Sequence, residues 1–341
     1  MPFVESAIRW VETKALPDPA TRAGVTLLCG RTALRLRRID PAADEAFARG
    51  MAAFPVAQNT QDANAQHYEL PAPFFALFLG PRRKYSCCYY PTPQTTLAEA
   101  EEHALAATVE RAGLADGQDI LELGCGWGSL TLYMAEKFPG ARITAVSNSH
   151  SQRAHIAGAA AARGLANVRV ITCDMNDFAA EGDFDRIVSV EMFEHMANWE
   201  TLLGRVNRWL RPDGRLFVHI FTHKSASYRF DHANKADWIA QHFFTGGIMP
   251  SHGLMRRFPQ LFHVEDEWRW SGSHYQRTAD HWLERYDARI GEVRAILRGV
   301  YGADAVLWER RWRLFFLATA GLFGFADGDV WGVSHYRLRK A

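Results

Sequence analysis

From residue 118 onward, short apolar runs alternate with stretches whose apolar positions recur at helical spacing. This pattern predicts strands at 119–123, 142–147, 168–172, 185–190 and 215–221, and helices at 128–137, 150–163 and 198–209. Alternation of this kind is that of a parallel sheet with helical crossovers. Pro212-Asp213-Gly214 predicts a turn ahead of the fifth strand. The alternation then breaks. Residues 224–260 are rich in His, Phe and Gly, a strand is expected at 262–270, helices at 278–297 and 303–323, and a last strand at 331–338. The helical stretch between the last two strands reads as a lid inserted in the sheet order. The first 108 residues carry helical patterning and no strong strand, with helices expected at 20–39, 42–53 and 96–112 and a polar link at 59–65.

The first strand ends abruptly in three glycines spaced two apart, Gly124, Gly126 and Gly128, with Glu122 just ahead of them. Where a strand stops at glycines and a helix begins, a ligand can reach bare backbone. A dinucleotide loop prefers G-x-G-x-x-G, with pyrophosphate at the helix start. The G-x-G-x-G spacing and the carboxylate favour S-adenosyl-L-methionine, which has no phosphate and carries a positive sulfonium. Two later loops should complete such a site. After the second strand, Asn148 and Gln152 stand where many nucleotide-binding sheets place an acid for the ribose hydroxyls, and Ser149 is a candidate N-cap. After the third strand, Asp174 can accept from an adenine amino group while Met175 packs on the ring, or Asp174 can serve the turn alone.

Composition narrows the class. Hydrophobic content of 48% with 23% charged residues fits a globular protein, and a net charge of +1 gives no overall attraction to nucleic acid or to an anionic membrane. The basic positions Arg22, Arg31, Arg35, Arg37 and Arg38 on the first helix read as a solvated face or a contact for acidic lipid or a partner. Five cysteines include no C-x-x-C pair and no zinc-like cluster. That usage, with no apolar leader or membrane-length run, leads to the expectation of a cytoplasmic, metal-free protein. The N-terminal helices offer a homodimer contact.

Several motifs now form a set: Gln66-His67-Tyr68-Glu69, Lys84-Tyr85-Ser86-Cys87-Cys88-Tyr89, the run from Thr95 to Glu101, Gly124-Cys125-Gly126-Trp127-Gly128-Ser129, Glu191-Met192-Phe193-Glu194-His195-Met196, Phe217-Val218-His219, Phe243-Phe244-Thr245-Gly246-Gly247 and His274-Tyr275-Gln276-Arg277-Thr278. In these the chain resembles the cyclopropane fatty acid synthase superfamily of methyltransferases, and within it the coclaurine N-methyltransferase-like enzymes, from about residue 42 to the C-terminus. The resemblance implies an α/β, Rossmann-like methyltransferase with a mostly parallel seven-stranded sheet. It also implies an N-terminal helical region (1–108) and a methyltransferase domain (109–341) with helical insertions at about 224–260 and 278–325. It implies cofactor contacts from Tyr85 and Ser86, besides Glu122, the glycines, Asn148, Gln152, Asp174 and Met175.

Methyl transfer from sulfonium to an amine needs a free lone pair on nitrogen, so a base must take the ammonium proton. Glu191, Glu194 and His195 stand at the carboxyl edge of the fourth strand, where ligands of open α/β sheets bind. If strand passes directly into helix here, Glu191 and His195 share a face. The resemblance gives amine binding and deprotonation to Glu194 and His195, with Glu191 assisting. Tyr68 and Glu69 are expected on the opposite wall, with His219, Tyr275, Phe325 and Trp331 as further substrate contacts. The resemblance also carries a rival chemistry. Lipid enzymes of the superfamily methylate an alkene and remove a proton with bicarbonate, held by residue types that match Cys87, Glu194, His219 and Tyr275. Those enzymes generally have a small residue at the position of Glu191. The expected partner is therefore a small amine, with a membrane surface only under the lipid reading. A non-catalytic cofactor-binding protein is the alternative of another class.

Overall fold

The computed structural model describes residues 10–14, 16–37, 42–58, 70–231, 233 and 237–341. Tyr68, Glu69 and the 59–65 link lie outside them, as does Arg38.

Five strands form the parallel part of the sheet: β1 (Asp119–Leu123), β2 (Arg142–Ser147), β3 (Val168–Thr172), β4 (Phe184–Val190) and β5 (Leu210–His223). Ile120, Leu121 and Leu123 are all fully buried, as expected for a strand covered on both faces. Helices α5 (Ser129–Lys137), α6 (His150–Ala162) and α7 (Trp199–Trp209) make the crossovers. The strand β9 (Trp331–Lys340) runs antiparallel between β5 and β8 (Phe262–Ser271). The seven-stranded order is β3-β2-β1-β4-β5-β9-β8. The chain reverses its progress through the sheet on either side of β1, so a ligand crevice is expected at the carboxyl end of β1.

Pro212 to Gly214 leaves the β4–β5 ladder, which pairs Phe184 with Leu210 and resumes at Arg186 with Arg215. The expected turn is thus a bulge inside a longer strand. The expected 278–297 helix is two helices, α9 (Gly272–Ala288) and α10 (Ile290–Tyr301), because the backbone of Arg289 leaves helical geometry at φ −116°. With α11 (Ala305–Gly324) they form the excursion between β8 and β9. That excursion packs on α1 (Asp18–Leu36) and on a helix the sequence pattern did not reveal, α3 (Ala72–Phe78). Phe74, Phe75 and Phe78 of α3 meet Trp312, Trp282, Phe316 and Trp127 in one aromatic core. Earlier in the chain comes the short α2 (Ala43–Gly50), and between β5 and β8 lie the antiparallel pair β6 (Tyr228–Arg229) and β7 (Ile248–Met249) with the short α8 (Trp238–His242).

Helix α4 (Leu97–Ala112) begins in a capping box between Thr96 and Glu99 and ends at Gly113, which is left-handed. The expected domain boundary at 108/109 falls inside this unbroken helix, so no linker separates the regions there. Among the described residues, no helix is long and apolar enough to cross a membrane.

Candidate active site

Two layers of hydrogen bonds hold the segment 82–90 over the end of the sheet. From α4, the buried Glu101 carboxylate accepts from the Arg82 N–H at 2.8 Å and the Lys84 N–H at 3.1 Å. From α9, Thr278 Oγ1 accepts from the Cys88 N–H, His274 Nδ1 from the Tyr90 N–H, and Arg277 donates to the carbonyls of Thr92, Pro93 and Thr95. The motifs ending at Glu101 and beginning at His274 therefore act as clamps on one strap.

The glycine loop faces this strap. Gly124 and Cys125 donate their N–H groups to the Val146 carbonyl of β2, which fixes the turn. All three glycines have positive φ, for three different needs. A Cβ on Gly124 would stand 2.6 Å from Met192, and one on Gly128 2.6 Å from Ile156. Gly126 has open space before it. Gly126 thus presents backbone to a ligand, whereas Gly128 closes the loop onto α6.

One cleft joins these parts. Of the expected cofactor residues, Tyr85, Ser86, Glu122, Gly124, Gly126, Asn148, Gln152 and Met175 line it. Buried polar atoms without a protein partner point to a ligand here: Ser129 Oγ, Gln152 Nε2 and Trp127 Nε1. Glu122 accepts from the Thr131 hydroxyl at 2.5 Å, and burial pushes its carboxyl up to about 8. Ser149 caps α6 through the Gln152 N–H, as its position suggested. Gly128 and Asp174 are not in the cleft wall. Asp174 Oδ1 accepts from the Asn176 N–H at 2.8 Å, the bond of a turn residue.

At the end of β4 the strand does not run straight into a helix. Glu191 is left-handed (φ 48°), and Phe193–His195 form a single 3-10 turn. The shared helical face expected for Glu191 and His195 is replaced by this corner, yet both side chains still line the cleft. Glu194 does not. Its Oε1 accepts from the Phe221 N–H at 3.3 Å, its Oε2 has no protein partner, and the side chain is fully buried behind the cleft. Burial and the nearby Glu191 charge hold the Glu194 carboxyl well above the usual carboxylate range.

Glu191 is the hub. Its Oε1 accepts from the Cys87 N–H at 2.9 Å and lies 3.3 Å from His219 Nε2, and its Oε2 accepts from the Tyr275 hydroxyl at 2.7 Å. Burial raises its carboxyl, and Lys84, the Cys87 and Tyr275 donors and His195 act in the opposite direction. His195 stacks on Phe244, with ring centroids 4.2 Å apart, and burial pulls its imidazole down to about 4. His219 and Tyr275 thus reach the site through Glu191. Phe325 and Trp331 do not reach it. Trp331 is fully buried with Nε1 on the Tyr228 hydroxyl, and Phe325 packs between it and Gly30 of α1. Their apolar bulk serves the packing of α1 on β9. Phe244, Lys84 and Ser129 stand inside motifs that the sequence marks, yet none of them is among the expected site residues. Arg111 and His335 carry no such signal.

The family profile described as mycolic acid cyclopropane synthetase matches residues 56–332. The chain belongs to that family. It is 37% identical over 290 residues to (S)-coclaurine N-methyltransferase of Thalictrum flavum subsp. glaucum, covering 84% of this chain and 80% of the relative. It is 30% identical over 276 residues to the cyclopropane-fatty-acyl-phospholipid synthase of Escherichia coli (strain K12), covering 79% and 66%. Its fold matches the crystal structure of coclaurine N-methyltransferase bound to N-methylheliamine and SAH, with a TM-score of 0.94, 31% identity, and coverage of 98% and 99%. This methyltransferase therefore uses S-adenosyl-L-methionine, and the cleft beside the glycine loop has the unpartnered polar atoms to receive it.

Proposed function

We propose that this methyltransferase methylates the nitrogen of a small, partly aromatic amine of tetrahydroisoquinoline type. The carrying observation is the Glu191 carboxylate, fixed in the cleft by Cys87, His219 and Tyr275. Those three residues belong to the set that the resemblance assigns to bicarbonate in lipid enzymes. Here the protein's own carboxylate occupies their donors. A fixed carboxylate suits a cationic substrate, and leaves a free anion no donors at that point.

When bound, S-adenosyl-L-methionine supplies an electrophilic methyl carbon to a nucleophile in line with its sulfur. Gly126, Ser129, Gln152, Asn148 and Met175 are the residues proposed to hold it, with Tyr85 and Ser86 closing from the strap. Glu191 anchors the substrate ammonium. His195, unprotonated at neutral pH, offers a lone pair beside it. The amine proton passes to this pair, and nitrogen is left with the lone pair that forms the new N–C bond. Burial and the Glu191 charge, which raise the Glu194 carboxyl, disfavour a second negative charge behind Glu191. The 3-10 turn, rather than Glu194 itself, is what brings His195 forward. Incubation with labelled cofactor and a panel of secondary amines tests the reading. Label is expected in tetrahydroisoquinolines. Label in unsaturated phospholipid, with none in any amine, would overturn it.

Glu122 gives a pH signature. Its carboxyl, raised to about 8 by burial, is protonated in the unliganded protein at neutral pH. A cationic ligand beside it favours the ionised form, so binding releases a proton below pH 8. Cofactor affinity is therefore expected to rise with pH up to about that value and then level off. Calorimetry at pH 7 in two buffers of different protonation enthalpy should give different apparent heats, and the difference should vanish in Glu122→Gln. Equal heats with the unaltered protein contradict this role.

A further inference from the structure

Behind Glu191 lie two cations that no role has so far claimed. Lys84 is buried at 2% exposure and contributes to the cleft wall. Its Nζ donates to Ser86 Oγ at 2.5 Å, and among the described residues no carboxylate pairs with it. Two of its three N–H donors have no protein acceptor. A buried ammonium without a paired carboxylate is expensive to keep. Arg111, on α4, donates to His335 Nδ1 at 2.6 Å and lies over the rings of Trp268 and Trp270 at 5.1 and 5.2 Å. The His335 ring in turn stacks on His219, with centroids 4.4 Å apart.

We propose that Lys84, backed by Arg111, forms a cationic rear wall that keeps Glu191 ionised and His219 neutral, so that the site is charged to receive an ammonium. This rests on Glu191 being the amine anchor. The groups facing Glu191 come from four directions: Lys84 and Cys87 from the strap, Glu194 and His195 from the 3-10 turn, His219 from β5 and Tyr275 from α9. Arg111 and His335 stand one step back, behind His219. Burial pushes Glu191 toward the neutral form, and burial with the Glu191 charge does the same to Glu194. The opposing influences are the Lys84 charge, which acts most strongly, then the Cys87 and Tyr275 hydrogen-bond donors and the nearby His195. Lys84 and Arg111 also hold His219 and His335 well below the usual imidazole range, after burial itself. Neutral His219 can then donate from Nε2 to Glu191 without carrying a charge that would compete with the substrate. Lys84 is thus a positioning residue acting through Glu191. Its place two residues before Ser86 and three before Cys87 lets one short strap supply both the charge and a direct donor.

The test follows the Glu191 carboxyl by NMR in full-length protein labelled with 13C at glutamate side-chain carboxyls, with Glu191→Gln giving the assignment. Lys84→Met is expected to move the Glu191 titration upward by at least one pH unit, and Lys84→Arg to leave it near the original position. The acid limb of kcat/KM for amine methylation should shift by the same amount, which lowers kcat/KM about tenfold at pH values below the original midpoint of that limb. An unshifted Glu191 titration in folded Lys84→Met overturns the proposal. So does a loss of SAH affinity in that variant with the titration unmoved, which would make Lys84 a cofactor ligand only. The carboxyl titration reads without any substrate. Failure of amine turnover in the unaltered enzyme would therefore count against the proposed reaction, while the NMR result still decides the role of Lys84.

Discussion

Glu191→Gly is expected to lower kcat/KM for amine methylation by about 10³-fold, within the range that a positioned acid–base group contributes, and to leave SAH affinity within about threefold, a difference below about 0.7 kcal/mol. The substitution suits the backbone. Glu191 stands at φ 48°, a conformation that burdens any residue with a Cβ and that glycine adopts freely. Relief of that strain offsets part of the cost of the buried donors left unpaired, roughly 1–3 kcal/mol for each, and thermal denaturation beside the kinetics separates lost activity from lost structure. It also vacates the carboxylate that takes the Cys87 N–H, the Tyr275 hydroxyl and His219. Small anions such as formate or bicarbonate have the size and charge to take its place, and they should restore part of the rate in a saturable way. Steady-state kinetics with and without added formate measure this. Full activity in Glu191→Gly would show that the amine is held elsewhere.

The glycine loop offers the second large effect, and it separates binding from folding. Gly126→Ala is expected to weaken SAH binding about 100-fold or more, equivalent to roughly 2.7 kcal/mol, with a loss of stability limited to left-handed strain of about 1 kcal/mol. Its Cβ would meet no protein atom, but it would stand in the cleft on a left-handed residue. Gly128→Ala should do the reverse. Its Cβ would press on Ile156 of α6 at 2.6 Å, and overpacking plus left-handed strain destabilise by roughly 2–3 kcal/mol. Thermal denaturation and calorimetry on both variants distinguish them. Equal effects on binding and stability in the two would remove the assignment of Gly126 to the ligand.

Much of this architecture is legible in the sequence, because parallel strands announce themselves as apolar runs ended by glycine or polar turns. The boundaries of β2 and β3 coincide with those expected, and β1 stops at the glycines as read. Periodicity loses resolution where burial is complete on all sides. The Phe-rich α3 has no polar face to give it a period, and the break between α9 and α10 rests on one residue's backbone angle. The site shows the same division. The glycine loop is legible because a ligand needs bare backbone at a fixed spacing, whereas Tyr85 and Ser86 of the strap are expected from the family resemblance alone; both parts line the cleft. The order among Glu191, Glu194 and His195 was not readable, since it turns on a left-handed residue that converts a presumed helical face into a corner. Phe325 and Trp331 were expected in the pocket because aromatic residues suit an aromatic substrate. An aromatic residue suits a core equally well, and composition alone does not separate the two.

The central claim is that a substrate nitrogen is held between the Glu191–His195 corner and the methyl group of the cofactor. A crystal structure of the protein with SAH and an N-methylated tetrahydroisoquinoline addresses it most directly. The account predicts the nitrogen within hydrogen-bonding distance of the Glu191 carboxylate, with its methyl group directed at the SAH sulfur. A product amine seated with its nitrogen away from both Glu191 and His195, in a protein that methylates it, would contradict the account.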